Sequence, residues 1–238
     1  MNVTPPRAFE KKMEQQAPMK LVPKIKPGTI TAPKPRPGKR TSPFEIRDMP
    51  PTEFRLYYNR GDIPASIQHG SYNNRLLWKT ELHNLDYHHY LPLFFEGLRE
   101  LQYPYNIVAE QGTRDLLMAG GQRIVPVIPQ LILPIKQALD TRNEFIICRV
   151  LRCLQLLVSS DDLVGPALVP YFRQILPVFN LFYTRNINIG DSIYYGQKEN
   201  NNIGDLIMET LELFERKGGS DALINIRYMV PQYQSCIL

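Results

Sequence analysis

A Leu-Pro pair followed by apolar residues at helical spacing occurs three times in the 238-residue chain: Leu91-Pro92-Leu93-Phe94, Leu133-Pro134-Ile135 and Leu176-Pro177-Val178-Phe179. The prolines recur at about 42 residues, within the roughly 40–47-residue period of HEAT and armadillo helix pairs. A unit of that length is a helix pair with an apolar stripe that only a stacked neighbour can bury. Proline is tolerated in a first helical turn, where its missing N–H has no partner anyway, and costs about 3 kcal/mol in a helix interior. Each Leu-Pro is therefore expected to mark a helix start or a kink. The fold class expected is all-α, a HEAT/armadillo-like helical repeat (α-solenoid), with repeats starting near Pro92, Pro134 and Pro177.

The middle unit is the most complete. Leu133 to Leu139 forms a first helix, Asp140-Thr141-Arg142-Asn143 a polar turn, and Glu144 to Ser159 a second helix. Ile147, Val150, Leu151, Leu154, Leu157 and Val158 share one face at i, i+3, i+4 and i+7 spacing. In the third unit a polar insertion rich in Asn, Gly and Tyr, residues 184–202, precedes a helix over 203–216 that Gly218-Gly219 close, and Ser220 or Asp221 can cap a last short helix. An insertion of this length in a compact repeat is typically functional or disordered; Tyr194, Tyr195 and Lys198 are its candidate partner-binding residues. Order begins at Thr52, an N-cap for Glu53 to Arg60, which Gly61 ends. Ser66 to His69 and Leu76 to Lys79, flanking a Gly/Asn-rich turn, suggest a small hairpin. The helical-repeat domain is thus 52–238.

Residues 1–48 are different in kind. Nine prolines are interleaved with Lys20, Lys24, Lys26, Lys34, Arg36, Lys39 and Arg40. Proline at that density blocks helix, and the few apolar residues cannot offset the entropy of ordering. The expectation is a disordered or extended, polyproline-like basic tail; at roughly 3.1 Å per residue, 18–43 would span on the order of 80 Å. The chain as a whole carries 28 Lys and Arg against 23 Asp and Glu, a formal +5, which favours acidic partners. Charge placed where no core can form points to a partner of opposite sign, and those seven cations are the candidate contacts.

Motifs of catalysis are missing from the sequence: it has no phosphate-binding Gly loop, His-Glu-x-x-His pair, nucleophile elbow or dinucleotide fingerprint. His83, His88 and His89 cluster with Asp86, yet adjacent histidines diverge on a helix, so structural or interface roles are expected. Cys148 and Cys153, five apart on an apolar helix, read as buried hydrophobes. With Cys236 they make an odd, unevenly spaced set that suggests neither disulfide framework nor zinc site. Tyr87, Tyr90, Phe94 and Phe95 fit a core better than an exposed platform. The longest apolar run, 124–135, is broken by three prolines and is too short for a membrane span. Met1-Asn2 is no myristoylation start and no signal-peptide pattern follows it, so a cytoplasmic, non-enzymatic protein without cofactor or metal is expected.

Longer strings carry a resemblance. NLDYHHYLPLFFEGL at 84–98, PQLILPIK at 129–136, GPALVPYFRQILPV at 165–178, NIGDLI at 202–207 and VPQYQSC at 230–236 closely resemble the parkin co-regulated gene protein family, over about 52–238. The resemblance implies a helical-repeat protein without catalysis at the inner junction of ciliary and flagellar doublet microtubules, where the incomplete B-tubule closes onto the A-tubule. It also implies partners: α/β-tubulin of both tubules, a small β-sandwich inner-junction flagellar protein, and other axonemal and microtubule inner proteins. Family members in mammals further partner a small meiosis-expressed protein in sperm. The runner-up reading is a nucleic-acid-binding helical repeat, since a basic tail also tracks phosphates, and an enzyme ranks third.

Overall fold

The computed structural model describes residues 42–68, 75–185 and 202–236. The first helix starts where the sequence places it. Thr52 is extended, its hydroxyl oxygen accepts the Arg55 N–H at 3.2 Å, and helix α1 (Glu53–Arg60) ends at Gly61 with φ +81°. That left-handed φ is open to glycine at no steric cost. A two-stranded antiparallel hairpin follows, β1 (Ala65–Gln68) and β2 (Arg75–Trp78), with Ala65 opposite Trp78 and Gln68 opposite Arg75. Each strand begins one residue before the span read from sequence. The Trp78 indole N–H donates to Asp115 at 2.9 Å and its ring lies 5.6 Å from Phe94, so the hairpin is pinned onto the helices.

Those helices are α2 (Tyr87–Gly97), α3 (Tyr105–Gly120), α4 (Ile128–Asp140), α5 (Glu144–Ser160), α6 (Val164–Leu168), α7 (Phe172–Phe182), α8 (Ile203–Gly218) and α9 (Ala222–Met229). They pack in two series: α2 contacts α4 and α4 contacts α7, while α3 contacts α5 and α5 contacts α8. The pairs α2/α3, α4/α5 and α7/α8 join the series, and α9 packs against α7 and α8. One apolar cluster runs through the whole assembly, from Phe54 and Phe94 to Phe172, which stacks on Phe214 at 5.1 Å. On α5 the six residues assigned to one face are all buried, none more than 1% exposed. Its start is fixed by Asn143, whose side chain accepts the Phe145 N–H at 3.0 Å.

The three repeated prolines are not helix starts. Pro92, Pro134 and Pro177 lie inside α2, α4 and α7, beyond the first turn. The starts are set upstream: Asp86 caps α2 by accepting the His88 N–H, and 3-10 turns at Gly121–Val127 and Val169–Tyr171 lead directly into α4 and α7. Each proline withholds the donor owed to the carbonyl four residues earlier, on His88, Gln130 or Arg173. All three of those residues are exposed, so solvent can reach the freed acceptors.

From Tyr105 to Asp140 the chain is helical almost throughout, and part of that stretch is long and apolar enough on composition alone to cross a membrane. It is not one rod. Gly121, at φ +52° and ψ −133°, ends α3 after 16 residues, and α4 has 13; each falls short of the roughly 20 residues a span needs. At the far end α6 lies so close to α8 that a Cβ on Gly165 would sit 2.1 Å from the Lys217 carbonyl oxygen.

Candidate interaction surface

The seven tail cations Lys20, Lys24, Lys26, Lys34, Arg36, Lys39 and Arg40, and the loop residues Tyr194, Tyr195 and Lys198, lie outside the described residues. The described flanks of both segments nevertheless meet. Phe44 packs edge-on against Phe182 at the end of α7, with ring centroids 5.5 Å apart. Arg185, where the insertion begins, lies over both rings at 5.2 and 5.9 Å and pairs with Glu144 at the start of α5 at 2.5 Å. That pair is about half exposed, so by itself it contributes roughly 0–1 kcal/mol. Its importance is positional: Phe44 and Arg185, described residues that flank the tail and the insertion, lie at the same edge of the domain.

From Phe44 the chain runs along that edge to α1. The Arg47 N–H donates to the Thr141 carbonyl at 3.0 Å, and the Thr52 hydroxyl donates to Glu100 at 2.6 Å. Residues 42–48, read from sequence as tail, therefore already lie against the domain, because Phe44 gives them an apolar anchor. A groove of about 340 Å³ opens under this strap, with Arg55, Arg99, Glu100, Asn143 and Ile146 among its walls. Three of its charged residues are paired. Glu100, buried, takes Arg55 at 2.5 Å, while Arg99 reaches Glu96 at 2.7 Å. Arg149 on α5 ties the same corner together, donating to the Leu98 and Glu100 carbonyls at 3.0 and 2.8 Å and to Glu110 at 3.0 Å.

Two further grooves lie on opposite series of helices. One of about 520 Å³ crosses α3, α5 and α8, where Arg114, Arg152 and Arg216 stand among Glu209 and Glu212. The other, about 380 Å³, lies between α1, α2 and α4 and has Glu53 and Glu96 as its charged walls.

The histidines go to three different places. His83 accepts from Arg123 through both its carbonyl and its Nδ1, each at 2.7 Å; His88 Nδ1 is 3.3 Å from the Gln130 amide; the His89 ring lies 5.4 Å from Tyr57. Among the described residues no group of three or more His, Cys, Asp or Glu is placed to hold a metal. Cys148 and Cys153 are buried on α5, and burial pushes their thiols up to about 11 and about 12, the opposite of an activated nucleophile. Tyr87, Phe94 and Phe95 are core residues, with Tyr90 packed partly buried against them.

At the other end, the chain after α9 is clasped by one carboxylate. Buried Glu215 accepts the Tyr233 hydroxyl at 2.6 Å, the Ser235 hydroxyl, and the Cys236 N–H at 3.1 Å. Burial by itself would raise its pKa; the hydrogen bonds from Ser235, Tyr233 and Cys236 outweigh that and hold it down at about 2. The sequence carried one signal for this group, since Leu211, Phe214 and Gly218 place Glu215 on the buried face of α8. Nothing comparable marked Glu100 or Arg149, whose partners lie far away in the chain.

Residues 52–235 match the family model described as Parkin co-regulated protein. The Parkin coregulated gene protein homolog of Mus musculus is 57% identical over 195 residues, which cover 82% of this chain and 81% of that relative. The family match begins at Thr52, the residue that caps α1.

Proposed function

Since the chain belongs to the parkin co-regulated protein family, we propose that it is a structural, non-catalytic protein of ciliary and flagellar doublet microtubules that joins the B-tubule to the A-tubule at the inner junction. The observation that carries this reading is the 57% identity to the mouse relative over 195 residues. In this reading the helix pairs α2/α3, α4/α5 and α7/α8 are the units of a HEAT/armadillo-like solenoid that serves as a rigid spacer. A continuous apolar core along the helices supports that role, because a spacer must keep its shape under load. The buried cysteines, the dispersed histidines and the internally paired Arg55, Arg99, Glu96 and Glu100 are all engaged in holding the fold, which favours binding over turnover.

The tail supplies the grip on tubulin, whose surface is acidic, through Lys20, Lys24, Lys26, Lys34, Arg36, Lys39 and Arg40. Each cation held close contributes on the order of 1 kcal/mol, by analogy with polybasic attraction to anionic membranes. At about 0.15 M salt the Debye length is near 8 Å, so only closely held charges count. The insertion, with Tyr194, Tyr195 and Lys198, adds a second contact for tubulin or the small β-sandwich partner.

Co-sedimentation with microtubules tests this. Deleting residues 1–41, which leaves the Phe44 anchor in place, is expected to weaken binding and flatten its dependence on salt. Unchanged binding across the salt range would remove the tail from the mechanism, and equal competition by RNA would favour the nucleic-acid reading.

A further inference from the structure

The groove between α1, α2 and α4 has a character unlike the rest of the proposed tubulin-binding apparatus. Its floor is apolar and stiff, made of Pro92 and Leu93 from α2 and Leu133 and Pro134 from α4. Leu133 is 62% exposed, a large aliphatic side chain directed away from the core. The charges that line the groove, Glu53 and Glu96, are both negative, and no lysine or arginine lines it. Glu96 is held by Arg99 and by the Glu53 N–H through the same oxygen, Oε1, at 2.7 and 3.2 Å, which fixes the carboxylate and leaves Oε2 without a donor among the described residues. The Glu53 carboxylate has no partner among the described residues.

Pro134 adds an acceptor to this wall. It cannot donate to the Gln130 carbonyl, and Gln130 itself lines the groove, with its side-chain amide 3.3 Å from His88 Nδ1. An apolar floor flanked by the Glu53 carboxylate, the second oxygen of Glu96 beyond its pair with Arg99, and Gln130, whose carbonyl lacks its helical donor, is rich in acceptors, and no lysine or arginine lines it. The complementary group is flat, apolar on its stem, and carries many donors and a positive charge. That is an arginine side chain, whose aliphatic stem can lie on proline and leucine while its five N–H groups face the oxygens.

We propose that this groove docks an arginine-bearing segment of a partner protein other than the acidic microtubule wall, with the guanidinium between Glu53 and Glu96 and its stem against Leu133 and Pro134. It gives the domain two contact chemistries: cations reaching out toward tubulin, and an acidic, proline-floored groove receiving a cation from another component. Arginine is preferred over lysine because an ammonium is more strongly hydrated and lacks the planar fork of five donors that a guanidinium presents.

Amide-resolved NMR titration of the full chain with N-acetyl-arginine methylamide tests this, with the lysine and norleucine analogues as comparisons. Saturable shifts confined to Glu53, Leu93, Glu96, Gln130 and Leu133 are expected for arginine, with weaker binding of lysine and none of norleucine. Leu133→Lys places a cation on an exposed position of the floor and should weaken the arginine analogue about tenfold; Glu53→Gln should weaken it by less. Shifts equally strong with norleucine, shifts scattered over every exposed carboxylate, or arginine binding unaffected by Leu133→Lys would each overturn the proposal.

Discussion

Replacing Gly165 by alanine sets two opposite effects against each other, and the structure decides which wins. Gly165 lies in helix α6, where glycine is about 1 kcal/mol worse than alanine on propensity, so substitution at an open site would stabilise. This site is closed: the new Cβ would lie 2.1 Å from the Lys217 carbonyl oxygen, 2.5 Å from its carbon and 3.1 Å from its Cβ. Ordinary contact begins near 3.4 Å, so α6 and α8 must separate by more than an ångström, and two of the three obstacles are backbone that no rotamer change can move. Overpacking of this kind costs about 1–3 kcal/mol, at the upper end where backbone is displaced. Subtracting the propensity gain leaves roughly 2 kcal/mol of destabilisation. In a domain this size that lowers Tm by roughly 4–8 °C. Thermal unfolding followed by circular dichroism, with urea unfolding as a check, reads the effect. Gly61→Ala is the comparison, because there φ is +81° but nothing lies within 4 Å of the Cβ, so its loss of about 1 kcal/mol is conformational alone. A Gly165→Ala protein as stable as the parent, or more so, would refute the close approach of α6 to α8.

Glu215 gives a dependence on acid. Its folded pKa, about 2 against an ordinary 4.5, means its contribution is fully present above about 4.5 and is lost as pH falls toward 2; urea midpoints of Glu215→Gln should be lower at neutral pH and lose less than the parent between 4.5 and 2. Arg149→Met removes donors from two carbonyls and a carboxylate at a mostly buried position, so a loss of about 2–4 kcal/mol in chemical denaturation is expected, and a change within 0.5 kcal/mol would contradict the network. Under native conditions a thiol reagent should modify Cys236 while Cys148 and Cys153 react only after unfolding, which mass spectrometry of the modified peptides can count.

Local chemistry was the most legible part of the sequence. The cap at Thr52 and the stop at Gly61 depend on residues within one turn, and the buried face of α5 depends only on spacing, so both were readable before the structure. The repeated prolines were legible as a pattern that left a helix start or a kink open, and none of the three is a start. Proline looks like a helix start, but Asp86 and two 3-10 turns begin those helices earlier, and an outward-facing proline is tolerated where exposed carbonyls can find other donors. The strap at 42–51 escaped notice because one phenylalanine, Phe44, in a proline-rich stretch gives no periodic signal; its partner Phe182 is far off in the chain. The grooves were illegible for a related reason. Glu53, Glu96 and Leu133 each look like ordinary helix residues, and only the packing of α1 and α4 against α2 puts them on one wall.

A density map of doublet microtubules assembled with this chain in place tests the central claim most directly. The account predicts paired helices from α2 to α8 seated where the B-tubule closes onto the A-tubule, with tail density following the tubulin surface from the Phe44 edge. A seam that closes without that density, or the chain found only in the fraction freed from axonemes, would contradict it.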